Sequence, residues 1–129
     1  MEVLDAYAAG LRDLDLFSHI YLLYAFHEAH ATELTVVPYL DDRPHGVYAT
    51  RHPARPNHIG LSIVRLVSRT GNVLDIVDVD VLDGTPLLDI KPYVPPFDCY
   101  AVQRYGWLQD KQVTDQTADR RFSGKEEKP

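Results

Sequence analysis

Gly46-Val47-Tyr48-Ala49-Thr50-Arg51-His52-Pro53-Ala54-Arg55-Pro56-Asn57-His58-Ile59-Gly60-Leu61-Ser62 sets two arginines, two histidines, an asparagine and two prolines between two apolar, β-like runs. A stretch so polar is poor core material. Proline fixes its own φ and steers the residue before it away from helix, so Pro53 and Pro56 hold the segment extended. They also limit where the two guanidiniums can go. The guanidinium fork suits carboxylates and phosphates, so the segment reads as a preorganised, anion-facing loop carried between strands.

Outward from that loop the chain reads as short strands. Gly46 to Thr50 is a strand leading in, Leu61 to Ser68 one leading out, and Thr70-Gly71-Asn72 the turn that follows. Val77, Val79 and Val81 then alternate with Asp78 and Asp80, a period of two with one apolar and one acidic face. Upstream, Phe17 to Ala29 is rich in aromatic and branched residues and predicts a buried strand. Leu34 to Leu40 is a further apolar run, and Asp41 to Gly46 carries turn chemistry. Asp5 to Leu14, interrupted by Gly10, predicts only a short helical turn or an irregular segment. Tyr100 to Leu108 predicts a final strand that closes the sheet. Strands at this spacing imply an all-β fold, a single small mixed β-barrel with one or two short helical segments. The domain is expected over residues 1–112. Residues 113–129, polar and without periodicity, are expected to form a mobile tail.

Composition narrows the classes. The 129 residues, 45% apolar, suit one domain with an ordinary core. The single cysteine, Cys99, cannot form an internal disulfide, and no basic region opens the chain as in a signal peptide. The longest apolar run is broken by Ser18 and His19 and is too short for a bilayer. A cytoplasmic protein without a membrane segment is the expectation. The net charge of −6 is unevenly placed. Arg43 to Arg69 holds five arginines, three histidines and no acid, whereas Thr70 to Ile90 holds five aspartates and no base. Such a split fits either two solvated faces or a basic surface for RNA beside an acidic pocket for a cation. No two glycines are spaced as in a dinucleotide or phosphate-binding loop, and no nucleophile elbow is present.

A second unusual segment, Leu82-Asp83-Gly84-Thr85-Pro86-Leu87-Leu88-Asp89-Ile90-Lys91-Pro92-Tyr93, completes a pattern. With the aromatic-Ala-Thr-Arg, Arg-Pro-Asn, Ile-Gly and Leu-Ser pieces of the arginine loop, and with Gly10-Leu11 through Phe17-Ser18-His19-Ile20 to Phe26-His27, the chain resembles the TsaA-like, or TrmO, family from about Glu2 to Lys111. Its members are S-adenosylmethionine-dependent tRNA methyltransferases built on a small β-barrel. The resemblance implies methyl transfer to N6 of a threonylcarbamoyl-modified adenosine in tRNA, and a homodimer. It implies cofactor contacts from His27, Glu28, Arg51, Asp83, Gly84, Thr85, Pro86 and Asp89. Arg55, Asn57 and Lys91 are the implied RNA contacts, and His27 and Tyr93 the candidates for catalysis, His27 as a base.

Each assignment has a plainer competitor. Asp-Gly before Thr-Pro is ordinary turn chemistry, and Asp89 and Lys91, two apart on an extended segment, can pair with each other. His27, Glu28, His30 and Glu33 do not have the spacing of a zinc helix, so no metal is expected. Tyr21, Tyr24 and Phe26 read as core. Family members begin with a strand of the type Gly-x-Val/Ile-x-Ser-Pro, and this chain starts at Met1-Glu2-Val3-Leu4-Asp5, past it. The expectation is a displaced start, a barrel open on one side, or a gap filled by a partner subunit. It keeps a second reading in play, a non-catalytic barrel that binds RNA or a nucleotide.

Overall fold

The structure is a computed structural model and describes residues 1–29 and 31–111. Strands β1 (His19–Ala25), β4 (Ile59–Thr70), β5 (Val73–Val77) and β6 (Leu87–Pro92) form one sheet in the order β5-β4-β1-β6. β2 (Thr35–Val36) and β3 (His45–Gly46) form an antiparallel ribbon. One short helix, α1 (Pro95–Asp98), and several single 3-10 turns complete the described chain, so strands dominate. Among the described residues the strands do not close into a barrel. His30 and the expected tail lie outside the described residues.

The described chain divides into two compact units. The first takes Met1–Leu23, Leu61–Val79 and Leu87–Cys99. Its core comes from alternation: Ile20 and Leu22 on β1, Val64 and Leu66 on β4 and Leu74 on β5 are all buried, while their sequence neighbours are not. Burying each such side chain contributes about 1.5–3 kcal/mol. The hairpin β4–β5 turns at Gly71, whose φ of 61° suits a residue without Cβ, and pairs Thr70 with Val73. Asn72 ties this turn to the start of the chain, donating through Nδ2 to the Val3 carbonyl at 2.7 Å and to Asp5 Oδ1 at 3.0 Å.

Three sequence expectations are corrected here. The Val77–Val81 alternation is not a strand: β5 ends at Val77, and Asp78 adopts a left-handed φ of 66° that takes the chain out of the ladder. Asp80, expected on the acidic face of that strand, is buried. Val47–Ala49 form a 3-10 turn instead of continuing a strand from Gly46, because the Thr50 amide and hydroxyl both close onto the Val47 carbonyl, at 3.1 and 2.8 Å. Tyr100 to Leu108 contains no strand. It is exposed over most of its length and ends in a 3-10 turn at Gly106–Leu108.

Candidate functional site

The second unit, which among the described residues takes Tyr24–Gly60, Asp80–Pro86 and 100–111, carries the polar loops. Its turns are fastened by backbone bonds. The Ala25 amide donates to the Pro86 carbonyl at 3.0 Å, and the Phe26 amide to the His58 carbonyl at 2.7 Å. Those two bonds hold Tyr24–Ala29 against both the arginine loop and the Asp-Gly-Thr-Pro turn. Between them lies a cleft of about 190 Å³. Tyr24 and Phe26 give it an aromatic wall, their rings edge to face at 5.7 Å. His27, Glu28, Asp80 and Thr85 supply its polar groups, and Pro53 forms one border. The carboxylate oxygens of Asp80 are closed off from solvent within this wall. Thr85 is set by its own turn, its hydroxyl donating to the Leu82 carbonyl at 2.6 Å, with Gly84 at a left-handed φ of 81°.

On the other side of Pro53 is a second cleft, about 240 Å³, bordered by Pro38, Tyr39, Thr50, Arg51 and His52. Arg51 is exposed and, among the described residues, makes no side-chain hydrogen bond or ion pair. Arg55 behaves differently. Its Nη1 donates to the carbonyls of Val47, Thr50 and His52 at 3.1, 2.7 and 3.2 Å, so this guanidinium clamps the loop that presents Arg51. Arg55→Ala should therefore lower stability by about 1.5–3 kcal/mol, the range for losing a hydrogen bond to a charged group. Urea unfolding measures it, and an unchanged midpoint would remove the clamp.

The loop is also braced from below. Trp107 Nε1 donates to the Ala49 carbonyl at 2.9 Å, and its ring stacks on His45 at 4.9 Å. His45 in turn meets Asp41 at 2.7 Å, and Lys111 approaches the same carboxylate at 3.4 Å. The hydrogen bond from His45, helped by the Asp42 amide and by Lys111, holds the Asp41 carboxyl well below the usual carboxylate range.

The site residues named from sequence are thus distributed. His27, Glu28 and Thr85 line the first cleft and Arg51 the second. Asp83, Gly84 and Pro86 shape the turn behind Thr85 without lining either cleft. Asn57 lies in the exposed turn Arg55–His58. Asp89, Lys91 and Tyr93 belong to the first unit. There Lys91 Nζ pairs with Asp89 at 3.1 Å and lowers its pKa, on a side-chain pair more than half exposed on average. Tyr93 packs against Tyr21 at 5.6 Å, and burial, with Cys99 and Asp98 nearby, raises its hydroxyl pKa, which keeps the phenol protonated. Sequence reading missed Tyr24, Phe26 and Asp80 as cleft residues. Among the described residues no group of three His, Cys, Asp or Glu side chains is disposed to hold a metal, and no helix is long and apolar enough to cross a membrane.

This strand-rich antiparallel fold is that of a known class. The chain belongs to the tRNA-methyltransferase O family, whose N-terminal domain model matches residues 1–99. A probable S-adenosyl-L-methionine-binding protein of Pyrococcus abyssi is 59% identical over 109 residues, covering 84% of this chain and 59% of that protein. The mouse tRNA (adenine(37)-N6)-methyltransferase is 42% identical over 92 residues, covering 69% of this chain and 21% of the mouse protein. The crystal structure of TrmO from Pseudomonas aeruginosa superimposes with a TM-score of 0.67 at 41% identity, over 82% of this chain and 46% of the other. The chain therefore spans less than two thirds of the length of these relatives.

Proposed function

We propose that this chain is an S-adenosylmethionine-dependent methyltransferase of the cytoplasm, acting on N6 of a threonylcarbamoyl-modified adenosine in tRNA. The observation that carries the reading is the first cleft. The rings of Tyr24 and Phe26 beside the Glu28 carboxylate, with Asp80 buried in the wall behind, suit a cationic ligand, through ring quadrupole and charge alike. At about 190 Å³ it is smaller than the ~300–1,000 Å³ of sites that enclose a whole ligand, so it accommodates one part of the cofactor. Arg51, beyond Pro53, offers the fork for a carboxylate. Asp83, Gly84 and Pro86 complete the proposed cofactor set within this unit and Arg55 and Asn57 the RNA set, whereas Asp89 and Lys91 pair with each other in the first unit.

When bound, S-adenosylmethionine supplies an electrophilic methyl group on a positively charged sulfur. The protein's task is then mostly positioning, because nucleophile, methyl and sulfur must lie in line. His27, exposed and lining the cleft, is the proposed base for the proton that leaves the accepting nitrogen. Tyr93, kept protonated, cannot accept that proton and has no part in this step. Calorimetric titration with S-adenosylmethionine tests the binding half, with saturable one-site binding expected. Transfer of labelled methyl to tRNA carrying the threonylcarbamoyl group, and not to the same tRNA lacking it, tests the substrate. Binding without transfer would favour the non-catalytic reading.

The reading includes a homodimer. Leu61, Ile63, Val67, Val73 and Val77 leave an apolar surface on β4 and β5 exposed by 38–51%, although the outer edge of β5 is itself bridged by Glu2 at Val73. A second copy seated there would cover it and complete the barrel expected of the family. Light scattering should give twice the chain mass, and a monomer mass at all concentrations would exclude the dimer.

A further inference from the structure

We propose that the second cleft receives the nucleotide of the RNA to be methylated, with Tyr39 as its stacking face and His52 as a hydrogen-bond donor. The inference rests on the methyltransferase reading above and adds a place for the second ligand. A group-transfer enzyme needs two ligands side by side, and the two clefts of this unit share one residue, Pro53. Their chemistry is opposite. The first is lined by two acids and no arginine or lysine, whereas the second has no acid and contains His52 together with Arg51. Arg51 is assigned above to the cofactor's carboxylate, so the two ligands would meet at this border and Tyr39 and His52 are left to the nucleotide.

The polar groups of the second cleft are also fixed as donors. His52 Nδ1 accepts the Ala54 amide at 3.1 Å, so in the neutral ring the proton resides on Nε2, which becomes a donor. Thr50 is committed, its hydroxyl donating to Val47. A donor-lined cleft fits the acceptor-rich edges and phosphates of a nucleotide. Pro38 and Pro53 stiffen its walls, and Arg55 clamps the loop above, so the cleft is preformed. Tyr39 lines it while remaining 71% exposed, with its ring face available. The volume, about 240 Å³, again falls below the ~300–1,000 Å³ of whole-ligand sites, as expected for one unstacked residue of a polymer. Enzymes that modify a base take it unstacked, and RNA is read in single-stranded loops by stacking on aromatic side chains.

The test uses the full chain as wild type, Tyr39→Ala and Tyr39→Phe. Each is titrated with an anticodon stem-loop carrying the modified adenosine, with the same stem-loop made abasic at that position, and with S-adenosylmethionine. Tyr39→Ala should weaken the intact stem-loop about five- to a hundredfold, the range for losing one base–aromatic stack, while Tyr39→Phe retains affinity. The abasic stem-loop should bind wild type and Tyr39→Ala alike, because the stack is already gone. S-adenosylmethionine affinity should not change. Unchanged stem-loop affinity in Tyr39→Ala overturns the proposal. So does a loss of S-adenosylmethionine affinity in that variant, which would give the cleft to the cofactor's own adenine. Wild type that binds S-adenosylmethionine but no stem-loop overturns this inference alone, and wild type that binds neither overturns the methyltransferase reading beneath it.

Discussion

Arg51→Ala lowers S-adenosylmethionine affinity about ten- to a hundredfold, as removal of a hydrogen bond to a charged group would. The expectation follows from contrast within one loop. Arg55 spends its Nη1 on three backbone carbonyls, whereas Arg51 is exposed and carries no such engagement among the described residues. Removing Arg51 therefore takes a ligand group away without releasing the loop. Stability should hold while affinity falls. Arg69→Ala is the control. That arginine donates to the Gly71 carbonyl at 3.1 Å and lies 3.8 Å from Asp15, both in the first unit, so cofactor affinity should not respond. Equal cofactor affinity in wild type and Arg51→Ala, with both folded, would withdraw Arg51 from the site.

The second large effect belongs to Gly60. A Cβ at this position would collide with the Tyr24 ring and come within 2.8 Å of Phe26 Cζ. Glycine is needed here because the two rings lie directly against the start of β4. Gly60→Ala must push them, and overpacking of this kind costs about 1–3 kcal/mol. Both rings form the wall of the first cleft, so cofactor affinity should fall together with the urea midpoint. Gly46→Ala has nothing within 4 Å of its new methyl and should leave both unchanged. A variant of Gly60 with wild-type stability and wild-type affinity would show that the rings do not form that wall.

Much of this was readable in the chain, and the misreadings have a common physical origin. β1, β4 with the turn at Gly71, and the Asp-Gly-Thr-Pro turn follow from alternation and from turn residues, which act over a few neighbours, whereas sequence reading missed β5 at Val73–Val77 as a strand. The Val77–Val81 repeat obeys the same alternation and is still not a strand, since one aspartate in the left-handed region is enough to end the ladder. That single dihedral also turned Asp80 inward, and no periodicity carries such information. Likewise, nothing in the spacing of Arg51 and Arg55 says which is a clamp and which is free. The answer depends on where three carbonyls converge, and those carbonyls are positioned by the 3-10 turn at Val47–Ala49 that the sequence presented as a strand. Tyr24 and Phe26 read as core because burial and lining a small cleft demand the same side chains.

The brace beneath the arginine loop has an optical consequence. Trp107 is the chain's one tryptophan, and its indole is hydrogen-bonded to Ala49, two residues before Arg51, while its face rests on His45. Emission from the unlabelled protein therefore reports on a single location. A ligand that shifts the backbone at Ala49 alters the indole's hydrogen bond and hence its wavelength. The Tyr24–Ala29 wall of the first cleft contains no tryptophan. The fold thus carries its own spectroscopic indicator for one of its two ligand clefts, and titrations can follow that loop without a dye.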